Sequence, residues 1–244
     1  MEARSSDVRR SLETPNLLVS AGLEAGALAR VASLWPRDIG DEAPLASAGD
    51  DVAVLVHGAL ATAGAWRPLR KRLEGAGVRT TAFTYGPGHG VPDIARILAR
   101  AVEALPAAVR IHLVGHSLGG LAVRWFVQEL GGDARVVETI AIAAPFEGAR
   151  GARLMPGPAG RDMRRGSDVL RALVDSAPCP GLPHLSIFGT LDTAVAASTC
   201  FPAGDRLVIP GAGHNRLLFH DDVADAVQGR IERWRVARDA SRSA

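Results

Sequence analysis

One serine in this chain carries the surroundings that turn a hydroxyl into a nucleophile. Gly115-His116-Ser117-Leu118-Gly119-Gly120 follows a strand-like run, Arg110-Ile111-His112-Leu113-Val114, and precedes a helix-like stretch over 121–128. Strand, Gly-x-Ser-x-Gly and helix in that order place the serine on a sharp, strained turn with its Oγ exposed. Side chains at 115 and 119 are expected to collide across that turn, which asks for glycine at both. The chemistry is attack of Oγ on a carbonyl carbon to give a covalent acyl-enzyme. A serine hydroxyl is a weak nucleophile at neutral pH, so it needs a base in hydrogen-bond reach and a group that orients the base.

Position along the chain sorts the candidates for those partners. There are seven histidines. His57 and His89 precede the serine, His112 lies within a strand, and His184 starts one. The turn directs His116 away from the hydroxyl, and His220 borders the last helix. His214, in Gly211-Ala212-Gly213-His214-Asn215, follows one strand directly and precedes the final helix. It is the expected base. Asp192 ends Ile187-Phe188-Gly189-Thr190-Leu191-Asp192 just beyond another strand and is the expected orienting acid. Asp168 and Asp175 are the runners-up, in a helix-like segment. Negative charge that builds on the carbonyl oxygen calls for backbone N–H donors. Leu118, directly after the nucleophile, supplies one. Ala59 in Val56-His57-Gly58-Ala59-Leu60 supplies the other, with Leu60 as the alternative. His57 reads as a structural hydrogen-bonder in that turn.

Strands and helices alternate around these residues. Strands are expected at 52–56, 79–85, 110–114, 136–143, 185–188 and 206–209, with helices at 66–74, 91–105, 118–130 and 222–236. Strands that are apolar on both sides, separated by amphipathic helices, imply an α/β fold: a mostly parallel sheet of about six strands covered on both faces. The candidate residues all fall at the carboxyl ends of strands, where such folds build their sites. The stretch 145–166, rich in Gly and Pro, is the longest irregular one. It reads equally as a cover over the site or as a solvated excursion. Leu60, Phe146 and Met155 are the expected apolar contacts for a substrate, on a rim that also carries Trp66 and Leu154.

The N-terminal 49 residues form a separate segment ahead of the core at 50–244. Arg4, Arg9 and Arg10 followed by Leu17–Leu23 superficially suggest a signal peptide, but Glu24 and Arg30 interrupt the apolar run. The better reading is a helix with Thr14 as its cap and Pro15 in its first turn, stopped by Pro36. Its inward face is expected to carry Leu17, Leu18, Ala21, Ala25, Leu28, Ala32 and Trp35. Residues 37–50 read as a linker.

Of the charged residues 28 are basic and 26 acidic, and Lys71 is the one lysine. The arginines are scattered, so no nucleic-acid surface is expected. No apolar run reaches the ~18–20 residues that span a bilayer. Cys179 and Cys200 match no metal or Cys-x-x-Cys pattern. They read as free thiols, or as a disulfide bracing the Asp192 loop in an oxidising compartment. The expected state is a cytoplasmic monomer that needs no metal or other cofactor, with peripheral contact to a lipid surface as a variant and secretion disfavoured.

These segments resemble the α/β-hydrolase fold and, within it, small bacterial serine lipases and esterases. Val56-His57-Gly58 resembles the family's oxyanion loop, 115–124 its nucleophile segment, and 140–148 the strand and Pro-containing loop that follow. Asp192-Thr193-Ala194-Val195 and Gly213-His214-Asn215-Arg216-Leu217-Leu218 resemble its acid and histidine segments. The likeness covers roughly 50–236. It implies hydrolysis of carboxylic esters, often with lipid-like acyl chains, without a cofactor. Thioester cleavage or acyl transfer on the same residues is the alternative, and a catalytically silent binding protein is a further one.

Overall fold

The computed structural model describes residues 17–35, 47, 49–176, 181–196 and 204–242. Cys179, Cys200, Thr14, Pro15 and Pro36 lie outside them. Six strands form one sheet in which every neighbouring pair is parallel: β1 (Asp51–Val56), β2 (Arg79–Phe83), β3 (Arg110–His116), β4 (Val136–Ile142), β5 (His184–Gly189) and β6 (Asp205–Ile209). Their order across the sheet is β2-β1-β3-β4-β5-β6. The helices are α1 (Leu17–Leu34), α2 (Arg67–Gly75), α3 (Val91–Glu103), α4 (Leu118–Glu129), α5 (Gly157–Asp162), α6 (Asp168–Asp175) and α7 (Asp221–Arg242). Two short 3-10 turns, Ala63–Trp66 and Arg216–Phe219, sit just past β1 and β6 respectively.

The sheet is buried on both faces because successive side chains of a strand point opposite ways. Val52, Val54 and Val56 pack with Ile94 and Leu98 of α3 and Leu121 of α4. Ala53 and Leu55 pack with Leu69 and Leu73 of α2 and Val223, Val227 and Ile231 of α7. That parity explains why β1 reads as an unbroken apolar run. The stretch 145–166 is less irregular than the sequence suggests, since α5 lies within it. Asp162 at the end of α5 accepts a hydrogen bond from the Val91 N–H at 2.8 Å, fastening the segment to the start of α3.

The inward face of α1 differs from the expected one. Ala27 and Val31 are buried and Leu34 and Glu24 half-buried, whereas Ala21, Ala25, Leu28, Ala32 and Trp35 are exposed. The helix is so rich in Ala, Leu and Gly that its apolar character is nearly even around the axis, and its inward side carries Val31 in the core and Glu24 in polar contact with the chain. Among the described residues no helix is long and apolar enough to cross a membrane.

Candidate active site

Ser117 is the single residue between the end of β3 and the start of α4, and its backbone shows how abrupt the reversal is. It stands at φ 52°, ψ −119°, a conformation that a side chain makes costly. Its N–H is held by the Ile142 carbonyl of β4 at 2.8 Å. The flanking glycines are needed, though not for one shared reason. A Cβ on Gly115 would stand 2.4 Å from the Gly119 carbonyl oxygen, across the turn as expected. A Cβ on Gly119 would instead strike β1, 2.2 Å from the Val56 carbonyl oxygen. The turn is thus pressed against the neighbouring strand.

His214 and Asp192 meet beyond the ends of β6 and β5. The imidazole Nδ1 lies 2.7 Å from Asp192 Oδ2. Asp192 is fixed by its own loop, for its Oδ1 accepts from the N–H groups of Ala194 at 2.9 Å and Val195 at 2.8 Å. One carboxylate oxygen is therefore spent on the backbone and the other is aimed at the ring. The ring of His214 packs 4.9 Å from that of His116, the residue directly before Ser117. Asp168 and Asp175 are not brought here. They lie on α6, where Asp168 pairs with Arg171 in the open.

His116 has partners of its own. Instead of merely turning away, it binds the backbone of the candidate base: its Nε2 lies 3.2 Å from the His214 carbonyl oxygen. Burial, and then the charge of His214 beside it, push its pKa down to about 3. The ring is neutral at working pH, so Nε2 carries the proton and donates. Its Nδ1 is buried without a partner among the described residues and faces the backbone of Gly58. A Cβ on Gly58 would stand 2.8 Å from that nitrogen and 3.2 Å from Ser117 Cβ. Gly58→Ala is therefore expected to push His116 off the His214 loop. Misplacement by about 1 Å costs about 10²-fold in rate, so kcat/KM should fall by about that factor while the circular-dichroism melt stays cooperative. Wild-type turnover would show that the turn can yield.

The turn after β1 is built from His57 outward. The Tyr85 N–H donates to His57 Nε2 at 3.2 Å, which leaves Nδ1 as the protonated nitrogen, donating to the Gly58 carbonyl at 2.7 Å. Burial lowers the His57 pKa to about 4 and keeps that neutral form. Tyr85 stacks on the ring at 3.9 Å, and its hydroxyl donates to the His57 carbonyl. His57 is thus a structural member of the turn. Leu60 takes φ 57° and bends the chain directly after Ala59. Leu118, as the first residue of α4, has an N–H with no carbonyl one turn back to receive it.

Ala59 and Leu118 share the wall of one apolar cavity of about 850 Å³. Leu60 and Met155 line it as expected, Leu60 largely exposed at the rim. Phe146 does not line it. It is buried in the core, edge-on to His184 at 5.9 Å, in the apolar cluster that holds Met163, Leu170 and Leu173. Leu154 lines the cavity as expected and Trp66 does not, being buried in the core, whereas Trp35 and Tyr85 line it and were not anticipated. Tyr85 left a signal, since it is the single tyrosine of the chain and ends the second strand run. The 145–166 stretch supplies Met155 and Leu154, and Arg150 N–H donates to the Ala194 carbonyl at 2.8 Å, tying it to the Asp192 loop.

The sequence matches the alpha/beta hydrolase family over residues 53–194, well over half of the chain. The chain belongs to that family. No curated protein sequence matches it. Among solved structures it is similar to a metagenomic carboxyl esterase, at 20% identity and a TM-score of 0.61, covering 70% of this chain and 66% of that one. It is also similar to a Bacillus licheniformis lipase in its mature form, at 13% identity and a TM-score of 0.67, covering 79% and 96%. A third similar structure, at 16% identity and a TM-score of 0.60 over 76% and 93%, is a bromoperoxidase from Bacillus anthracis. At such identities the likeness concerns the fold, and activity has to be argued from the site.

Proposed function

We propose that this protein is a serine carboxylic-ester hydrolase that works through an acyl-enzyme. The observation that carries the reading is the His214 Nδ1–Asp192 Oδ2 contact of 2.7 Å, with that imidazole packed beside the strained turn bearing Ser117. Ser117 Oγ attacks the ester carbonyl carbon while His214 Nε2 takes its proton. The C–O bond to the alcohol breaks as His214 returns that proton to the leaving oxygen. Water, activated by the same imidazole, then attacks the acyl-enzyme and releases the acid and free Ser117. Asp192 holds the tautomer in which Nε2 can accept and stabilises the imidazolium without taking a proton itself. The Ala59 and Leu118 N–H groups receive the developing oxyanion, each worth about 10²–10³ in rate.

The cavity beside Ala59 and Leu118 supports an acyl group of apolar character, with Leu60, Met155 and Leu154 as its contacts. A fluorophosphonate probe tests the mechanism directly. It should label the folded protein at one position, located at Ser117 by mass spectrometry, with Ser117→Ala unlabelled. Folded wild-type protein that takes no label would refute the reading. A series of p-nitrophenyl esters of rising acyl length should show kcat/KM increasing from acetate until the cavity is filled. A flat profile would remove the cavity from the argument.

A further inference from the structure

One charged side chain at the site has no part in this scheme. Glu24 projects from α1 onto the loop that carries His214. Its Oε1 accepts from the Asn215 N–H at 2.7 Å and from Asn215 Nδ2 at 2.8 Å, and its Oε2 accepts from the Arg216 N–H at 3.1 Å. On the other side of His214, Gly213 leaves room for the same carboxylate, since a Cβ there would stand 2.4 Å from Oε2. The residues on both sides of the imidazole are thus moulded to one carboxylate about 190 positions away in the chain.

The same helix seizes a second loop. The Leu34 carbonyl oxygen occupies the place a side chain would need at Gly64, 2.1 Å from where its Cβ would lie. Thr62 Oγ1 donates to the Trp35 carbonyl at 3.4 Å. Val31 packs into the apolar cluster that holds Ala63, Trp66, Leu217 and Leu218, and the Arg30 guanidinium sits 4.4 Å over the Phe219 ring. Residues 62–66 continue the turn that presents Ala59, and residues 215–219 continue the loop that presents His214. One helix spans both.

We infer that α1 braces the catalytic loops against each other and that Glu24 is a positioning residue for His214. The inference rests on the proposed roles of Ser117 and His214. Two backbone N–H groups and a side-chain amide converge on Glu24. Without it they have no acceptor in place, and half-buried donors left unpaired favour a rearranged loop. A catalytic constellation tolerates about 0.5 Å of error, so even a small drift of residues 213–216 separates the imidazole from Ser117. A purely structural anchor predicts something different: less folded protein, but normal turnover by each folded molecule.

The test compares the full chain with Glu24→Ala, Glu24→Gln, Leu28→Ala and Ser117→Ala on a short p-nitrophenyl ester. The low-field proton resonance of the His214 Nδ1–Asp192 hydrogen bond is recorded for each. Glu24→Ala should lower kcat by about 10–100-fold with KM within about twofold, and the resonance should shift or broaden. Glu24→Gln should lie between, because its oxygen keeps the Asn215 bonds while its NH₂ meets the Arg216 N–H donor to donor. Leu28→Ala, at a solvent-exposed position of α1, should match wild type. Wild-type kcat and an unmoved resonance in folded Glu24→Ala overturn the inference. If that variant does not fold, the same result in Glu24→Gln overturns it. Turnover by Ser117→Ala refutes the hydrolase mechanism instead, and the resonance alone then decides on Glu24: moved supports the positioning role, unmoved overturns it.

Discussion

Asp192→Asn should lower kcat/KM by about 10³–10⁴-fold while leaving the fold intact. The size follows from how the carboxylate is held. Its Oδ1 accepts from two backbone N–H groups, Ala194 and Val195. An asparagine must turn its single oxygen toward those two donors, because its NH₂ in that place would face them donor to donor. The NH₂ then faces His214 Nδ1, where Oδ2 of Asp192 now lies at 2.7 Å. Nδ1 must become the acceptor, so the proton moves to Nε2. The base is then protonated on the side that has to receive the Ser117 proton, and no negative charge remains to stabilise an imidazolium. Pre-steady-state kinetics should show the acylation burst slowed by about the same factor. A loss of less than about tenfold would mean that Asp192 does not set the tautomer and that another group orients His214.

Rearrangement of that kind is plausible to read from sequence only where the geometry is local. Ser117 was legible because a strand, two glycines and a helix leave one conformation for the residue between them, and it stands at φ 52°. Asp192 and His214 were legible because parallel strands bring their carboxyl ends to one edge. Phe146 was misread because it packs among Met163, Leu170 and Leu173, which come from the end of α5 and from α6. Adjacency to Ser117 says which way the His116 ring leaves the turn, but not that it meets the His214 carbonyl. Glu24 interrupts an apolar run in sequence, and nothing local shows that it meets Asn215 and Arg216. In each case the deciding partner comes from another element, and nothing in local periodicity encodes it.

The largest effect on stability is expected at the opposite end of the sheet, from His112→Leu. His112 on β3 is fully buried between two carboxylates: its Nε2 lies 3.0 Å from Asp51 Oδ1 on β1 and its Nδ1 2.7 Å from Glu138 Oε1 on β4. Arg110 and Arg235 complete the shell of Asp51, and Arg230 that of Glu138. Burial disfavours the imidazolium, but the hydrogen bonds and charges of Asp51 and Glu138 outweigh it and raise the His112 pKa. Burial likewise opposes the Asp51 charge, and His112 with Arg110 outweighs it, holding that carboxyl far below the usual carboxylate range. Leucine at 112 leaves two buried carboxylates facing an alkyl chain, and breaking such a cluster costs about 3–5 kcal/mol. The pH dependence has a definite sign. A histidine with a raised folded pKa contributes stability that is fully present below its unfolded value and lost as pH rises through the folded one. Asp51 works the other way, and its contribution is lost only in strong acid. Urea unfolding from about pH 6 to about pH 9 should therefore show wild type losing stability toward alkaline pH while His112→Leu stays flatter. The gap between them narrows as pH rises, and kcat per folded molecule is unchanged because the site lies at the other ends of the strands. A gap that widens with pH would mean that His112 is neutral in the folded protein and the cluster is held together by its arginines alone.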